Sequence, residues 1–251
     1  MLELAGEFEM VFYDQRGGGR SKTDGTDTIT WQTHVDDLAH VASELMTGPL
    51  IVVGYSWGAL LAMLYATRPP APVPGTPSPA ALILISPAAL SREHRRRFES
   101  TFTERQQSDA VRSEHAALVA SGLRERDPEA YRRRSFELSV AGYFADPDRV
   151  HDLTAFRVMS RVQQSVWDSL DGVDLRPALR EIRVPTLVVH GRQDPIPLES
   201  SEEVASALGA RLVVLDDCGH VPYVERPAPL FAAVRTFLHE RKTEPASLDA
   251  E

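Results

Sequence analysis

The sequence predicts an α/β fold with a mostly parallel sheet, helices on both faces and an inserted helical cap, and three features lead there. Short apolar runs alternate with segments of helical spacing; a serine-centred glycine motif stands between a strand-like and a helix-like segment; and one long internal stretch loses the strand signal altogether.

The strand-like runs are Met10 to Tyr13, Leu50 to Val53, Ala81 to Ile85, Thr186 to His190 and Leu212 to Leu215, so five strands are expected. Between the first two, Val35, Leu38, Ala42 and Leu45 recur at helical spacing. After the last, Leu230, Phe231, Val234, Phe237 and Leu238 do the same behind Pro229. Gly48 to Thr67 carries no charge over 20 residues, enough for a membrane-span signal. Its punctuation argues for another reading: Pro49 opens it, Gly54 and Gly58 interrupt it, and Pro69 and Pro70 stop the helix that follows the buried strand. The Pro-rich run Pro69 to Pro79 reads as a stiff surface loop.

From Pro87 to Arg180 the chain is rich in Arg, Glu and Ala at helical spacing, which predicts the cap; residues 1–86 and 181–251 form the core around it. The cap holds 16 Arg and 15 acidic residues, so the acidity of the chain belongs to the sheet domain. The runs Arg95 to Arg97 and Arg132 to Arg134 read as solvated helix faces in preference to anion contacts. A formal charge of -9 over 251 residues gives no electrostatic reason to approach nucleic acid or an anionic membrane. A single cysteine, Cys218, excludes an internal disulfide, and no leader-like segment opens the sequence, so a reducing, cytoplasmic setting is the expectation. Nothing in the sequence speaks to oligomeric state.

The chemistry centres on Gly54-Tyr55-Ser56-Trp57-Gly58, a G-x-S-x-G pattern with a strand leading in and a helix leading out. A sharp strand-to-helix turn crowds its flanks, so glycine is expected at both Gly54 and Gly58, leaving the Ser56 hydroxyl exposed. The helix starting at Trp57 points backbone N–H groups at the place where an oxyanion would form. A serine hydroxyl needs a base, and the base a carboxylate to orient it. Asp194 follows the Thr186 strand and His220 follows the Leu212 strand, each in a loop at a strand's carboxyl end. Ser56, Asp194, His220 is the chain order of an α/β-hydrolase triad. Asp168, Asp171 and Asp174 are reserve candidates for the acid. His190 reads as packed; His34, His40, His94, His115, His151 and His239 read as surface; Cys218 reads as a small packed residue.

Tyr13-Asp14-Gln15-Arg16-Gly17-Gly18-Gly19-Arg20-Ser21, Thr30-Trp31, Asp36-Asp37-Leu38, the Ser56 motif, His190-Gly191-Arg192-Gln193-Asp194-Pro195 and the segment from Cys218 to Pro227 together resemble the α/β-hydrolase superfamily, most of all its prolyl aminopeptidase group. The resemblance implies Ser56 as nucleophile, His220 as base, Asp194 as orienting acid, the Trp57 amide as an oxyanion donor, and no metal or organic cofactor. It implies that Asp14 and Arg16 shape a turn beside the site. Serine in place of aspartate at position 56 disfavours dehalogenase and epoxide-hydrolase chemistry.

The same resemblance places further strands and an H-G-G-type oxyanion loop ahead of Met10, where this sequence has no counterpart. The expectation is therefore an N-terminally short sheet, with a hole between the Met10 and Leu50 strands. The prolyl aminopeptidase resemblance implies cap carboxylates that hold a substrate amine, and Glu99, Glu104, Glu114, Glu125, Glu129 and Glu137 are available, but most alternate with arginines on helix faces and that group's signature of a tryptophan pair followed by glutamate is not found. Phe136, Tyr143, Phe144 and Phe156 read first as cap-to-core packing and second as the lining of an acyl pocket. The expected function is a serine hydrolase acting on an ester or amide of a small molecule or short peptide. Two alternatives stand beside it: a prolyl aminopeptidase, and an impaired hydrolase-like protein lacking the oxyanion loop.

Overall fold

A computed structural model describes residues 2–23, 28–45, 48–68, 76–156 and 159–243. Most of the Pro-rich run at 69–79 lies outside them. Among the described residues the sheet has four strands, β1 (Leu50–Tyr55), β2 (Pro79–Ile85), β3 (Thr186–Gly191) and β4 (Arg211–Leu215), all parallel and side by side in that order. Parallel neighbours need a crossover, and helices supply each one: α2 (Trp57–Thr67) between β1 and β2, the cap helices and α8 (Arg176–Glu181) between β2 and β3, and α9 (Leu198–Leu208) between β3 and β4.

Alternation along the strands builds two cores. Leu50, Val52, Leu82, Leu84 and Val188 face α2, α8, α9 and α1 (Trp31–Leu45). Ala81, Ile83, Ile85, Leu187, Val189 and Leu215 face the other way, onto Leu230, Phe231, Val234, Phe237 and Leu238 of α11 (Pro227–Thr243). α2 is buried nearly all round, from Ala59 to Tyr65, which accounts for its uncharged sequence. Arg68 caps it in extended geometry immediately before Pro69, as the steric demand of a following proline requires. Among the described residues no helix is long and apolar enough to cross a membrane.

The fifth expected strand is not formed. Met10 to Tyr13 runs without strand pairing, its Phe12 is 60% exposed, and the segment is held to the α11 side of the sheet through Phe8 and Met10. Apolar character gives a segment strand propensity, but a strand exists only where a neighbour offers a hydrogen-bonding edge. The expected hole inside the sheet is consequently absent, and β1 stands at its edge.

The 87–180 stretch is helical: α3 (Arg92–Gln106), α4 (Asp109–Ala120), α5 (Leu123–Arg126), α6 (Pro128–Val140) and α7 (Ser160–Ser169) precede α8. Ser91, Ser108 and Asp127 cap α3, α4 and α6 through their side-chain oxygens. α8 packs onto the sheet side, its Leu179 fully buried beside α2 and α9.

Candidate active site

The turn from β1 to α2 carries Ser56 at φ 53°, in the left-handed region that a non-glycine residue holds only under constraint. The constraint is visible: the Ser56 N–H donates to the Ile85 carbonyl at 2.9 Å, and its own carbonyl accepts from Ala59 at 3.0 Å and Ala88 at 3.2 Å. A Cβ at Gly54 would lie 2.2 Å from the Gly58 carbonyl oxygen, so only glycine fits there. At Gly58 the outcome differs from the motif-based expectation, because a Cβ there meets nothing within 4 Å. The crowding falls on one flank of the elbow only.

Asp194 and His220 converge on Ser56 from two other strand ends. Past β3, the Asp194 Oδ1 accepts from the Ile196 N–H at 2.8 Å, and its Oδ2 lies 2.8 Å from His220 Nδ1. A carboxylate only accepts, so Nδ1 carries the ring proton and Nε2 is left to accept from the Ser56 hydroxyl, 2.9 Å away. Asp194 and His220 are both buried. Of the reserve acids, Asp168 accepts from Gln164, Asp171 pairs with Arg92 and Asp174 with Arg176; none of these contacts involves His220.

The loop bearing His220 is fixed by contacts that no motif announces. Glu225, on the short helix α10 (Pro222–Glu225), is 7% exposed; it accepts from the N–H groups of Gly219 at 2.7 Å, Ala145 at 2.7 Å and Asp146 at 3.2 Å. One carboxylate thus ties the histidine loop to the cap. Burial pushes its pKa above the ordinary range, against the pull of those N–H donors. The His220 N–H donates to the Tyr143 carbonyl at 2.7 Å, and Gly219 permits this approach, since a Cβ there would come within 2.3 Å of that same oxygen.

Aromatic rings enclose His220. Tyr143 stacks on His220 with centroids 4.9 Å apart, and Tyr55 leans on it at 5.2 Å. Burial holds both phenols above their ordinary pKa, with the Asp194 charge adding to the effect, so they remain neutral. Burial, with Glu225 and Asp194 nearby, pushes the Cys218 thiol up to about 12, so it carries little thiolate. His190 is fully buried between the Ile196 carbonyl at 3.1 Å and the Ser201 hydroxyl at 2.8 Å, and burial keeps it neutral.

These groups open into a cavity of about 1040 Å³ between core and cap. Trp57 forms part of its wall, its indole N–H donating to the Gln15 side-chain oxygen at 2.9 Å, while its backbone N–H heads α2, where no intrahelical acceptor exists. Arg16 makes a two-point ion pair with Asp37 at 2.6 and 3.1 Å, and Asp14 accepts from the Arg20 N–H at 2.9 Å; both side chains brace the loop beside the site. Glu137 is buried among Arg133, Arg134 and His151, Glu114 pairs with Arg134, and Glu99 lines the cavity. Of the cap aromatics, Tyr143 and Phe156 line it too.

Two side chains read as surface lie in this wall. His34 is 3% exposed and packs edge-on against Trp57 at 5.9 Å, its pKa lowered by burial. Arg95 turns inward from α3 and lies over the Trp167 ring. Helical spacing alone does not say which turn of a polar helix faces a cavity. Among the described residues no three His, Cys, Asp or Glu side chains gather so as to hold a metal ion.

A model of the alpha/beta hydrolase family matches residues 2–234. A proline iminopeptidase of Heyndrickxia coagulans is 26% identical over 258 residues, covering 94% of this chain and 83% of the relative. A pimeloyl-[acyl-carrier protein] methyl ester esterase of Aromatoleum aromaticum is 29% identical over 191 residues, 70% and 69% of the two chains. Among solved structures, a thermophilic esterase from Thermogutta terrifontis superposes with a TM-score of 0.60 at 25% identity, over 95% of this chain and 82% of that one.

Proposed function

Because the chain belongs to the alpha/beta hydrolase family, we propose that it is a serine hydrolase cleaving an ester or amide of a small molecule or short peptide through an acyl-enzyme on Ser56. The observation that carries this reading is the unbroken hydrogen-bonded series Ser56–His220–Asp194, at 2.9 and 2.8 Å, opening on a cavity. His220 Nε2 takes the hydroxyl proton as Ser56 Oγ attacks the carbonyl carbon; Asp194 stabilises the imidazolium through Nδ1–H. The Trp57 backbone N–H receives the developing oxyanion at the head of α2. His220 then returns the proton to the leaving group and activates the water that releases the acid. The phenols of Tyr55 and Tyr143 shield the imidazole from solvent without competing for its proton.

Esterases among the relatives support ester cleavage. The iminopeptidase relative supports a second reading, release of an N-terminal proline, with Glu99 at the cavity as the carboxylate for the amine. Turnover of para-nitrophenyl acyl esters against proline para-nitroanilide separates the two. Hydrolysis of the esters with the anilide untouched supports the first; the reverse establishes the second. Covalent labelling of the folded protein by a fluorophosphonate, abolished in Ser56→Ala, is expected under both, and a folded protein that takes no label refutes both.

A further inference from the structure

The cavity wall beyond Ser56 is a ladder of rings with a cation at its far end. Trp57, next to Ser56 in sequence, meets Trp167 of α7 edge-on at 5.7 Å, and the Arg95 guanidinium sits 5.3 Å from the Trp167 ring centre. The Arg95 Nε is buried with no hydrogen-bond partner, and among the described residues no carboxylate lies within 4 Å of this guanidinium. The other charged groups at the cavity are engaged or exposed: Arg16 with Asp37, Asp171 with Arg92, Asp168 with Gln164, and Glu99 on the exposed flank of α3.

Arginine is the residue whose fixed fork of N–H donors suits a planar carboxylate. An aromatic face compensates a half-buried guanidinium only partly and leaves its donors free. We propose that the substrate carries a carboxylate of its own, remote from the scissile bond, and that Arg95 receives it against Trp167. This rests on the serine-hydrolase reading and narrows it to half-esters or half-amides of dicarboxylic acids. In the reaction the Ser56 Oγ–acyl bond replaces the acyl–leaving-group bond, the leaving group departs with the proton held by His220, and water then releases the dicarboxylate. The remote carboxylate stays ionised on Arg95 throughout.

The test compares para-nitrophenyl hydrogen glutarate with the neutral para-nitrophenyl butyrate in the wild type, Arg95→Gln and Arg95→Lys. For the glutarate half-ester, Arg95→Gln is expected to raise KM about tenfold or more with a smaller effect on kcat, and Arg95→Lys to recover part of the loss. Butyrate kinetics are expected to stay within about twofold. Equal losses on both esters, or no loss on the half-ester, overturn the proposal. A second readout needs no turnover: tryptophan fluorescence of Ser56→Ala titrated with glutarate, with and without Arg95→Gln. Saturable binding that disappears with Arg95→Gln supports the site; binding indifferent to Arg95, or no binding, overturns it. Glutarate bound through Arg95 in a protein that hydrolyses no ester would sink the hydrolase reading and leave the anion site standing. Ester turnover indifferent to Arg95 would do the opposite.

Discussion

Substituting alanine at each glycine of the Ser56 elbow should give opposite results, although the motif treats the two alike. At Gly54 the added methyl carbon meets three backbone atoms, the Gly58 oxygen at 2.2 Å, the Gly58 carbon at 2.4 Å and the Ala59 nitrogen at 2.5 Å. No rotamer change relieves a backbone contact, so β1 and α2 must separate at the point where Ser56 is positioned. Overpacking of this kind costs about 3 kcal/mol or more, the upper end of the usual range. In a chain of this length that lowers the melting temperature by about 6 °C or more. The same separation displaces Ser56 from His220, so fluorophosphonate labelling should slow in parallel. At Gly58 the methyl group enters open space on the first turn of α2 and replaces the least helix-favouring residue after proline. The expected effect is neutral to stabilising by up to about 1 kcal/mol, with labelling retained. Urea denaturation and labelling rates of both variants test this. A Gly54→Ala protein with wild-type stability and labelling, or a Gly58→Ala protein as damaged as Gly54→Ala, refutes the reasoning.

Asp194→Asn should preserve the fold and reduce kcat by about 10⁴-fold, because the amide no longer holds His220 in the Nδ1–H tautomer; steady-state ester kinetics with a circular dichroism control check it. Folded protein should resist iodoacetamide at pH 8, since the Cys218 thiol is pushed up to about 12, whereas urea-unfolded protein should react; intact mass reads the difference. The Glu225 pKa is raised in the fold by burial, so the folded protein holds a proton that the unfolded chain releases first. Stability from this group is complete below the unfolded carboxylate range and is lost as pH rises through the raised folded value. In Glu225→Gln that downward slope should vanish from the denaturation midpoint measured across acid to neutral pH, and an unchanged slope would count against it. Glu137, whose pKa is lowered through its bonds to His151, Arg134 and Arg133 despite burial, has the opposite sign: Glu137→Gln should cost stability at neutral pH and lose that cost as pH falls through the lowered value.

What was legible in the sequence follows from what is local. Ser56 is set by a strand, a glycine turn and a helix within about one motif's length, and Asp194 and His220 stand in loops directly after apolar strands, so pattern alone reached all three. The two-sided sheet was legible because short apolar runs alternate with helical segments, and β3 is indeed buried along its whole length. The features that were missed depend on parts of the chain distant in sequence. Glu225 acquires its role from Ala145 and Asp146, about 80 residues away in sequence. Gln15 does so from Trp57, and Arg95 from Trp167. Met10 to Tyr13 has strand composition but no edge to pair with, and no reading of its own letters would reveal that.

The central claim is that Ser56 is the nucleophile of an acyl-enzyme. Mixing folded protein with a para-nitrophenyl ester and recording intact mass, followed by peptide mapping, tests it most directly. The account predicts a transient acyl adduct on the peptide containing Ser56, absent in Ser56→Ala and persisting longer in Asp194→Asn. Ester turnover with no adduct in any variant, or an adduct that survives Ser56→Ala on another residue, would contradict it.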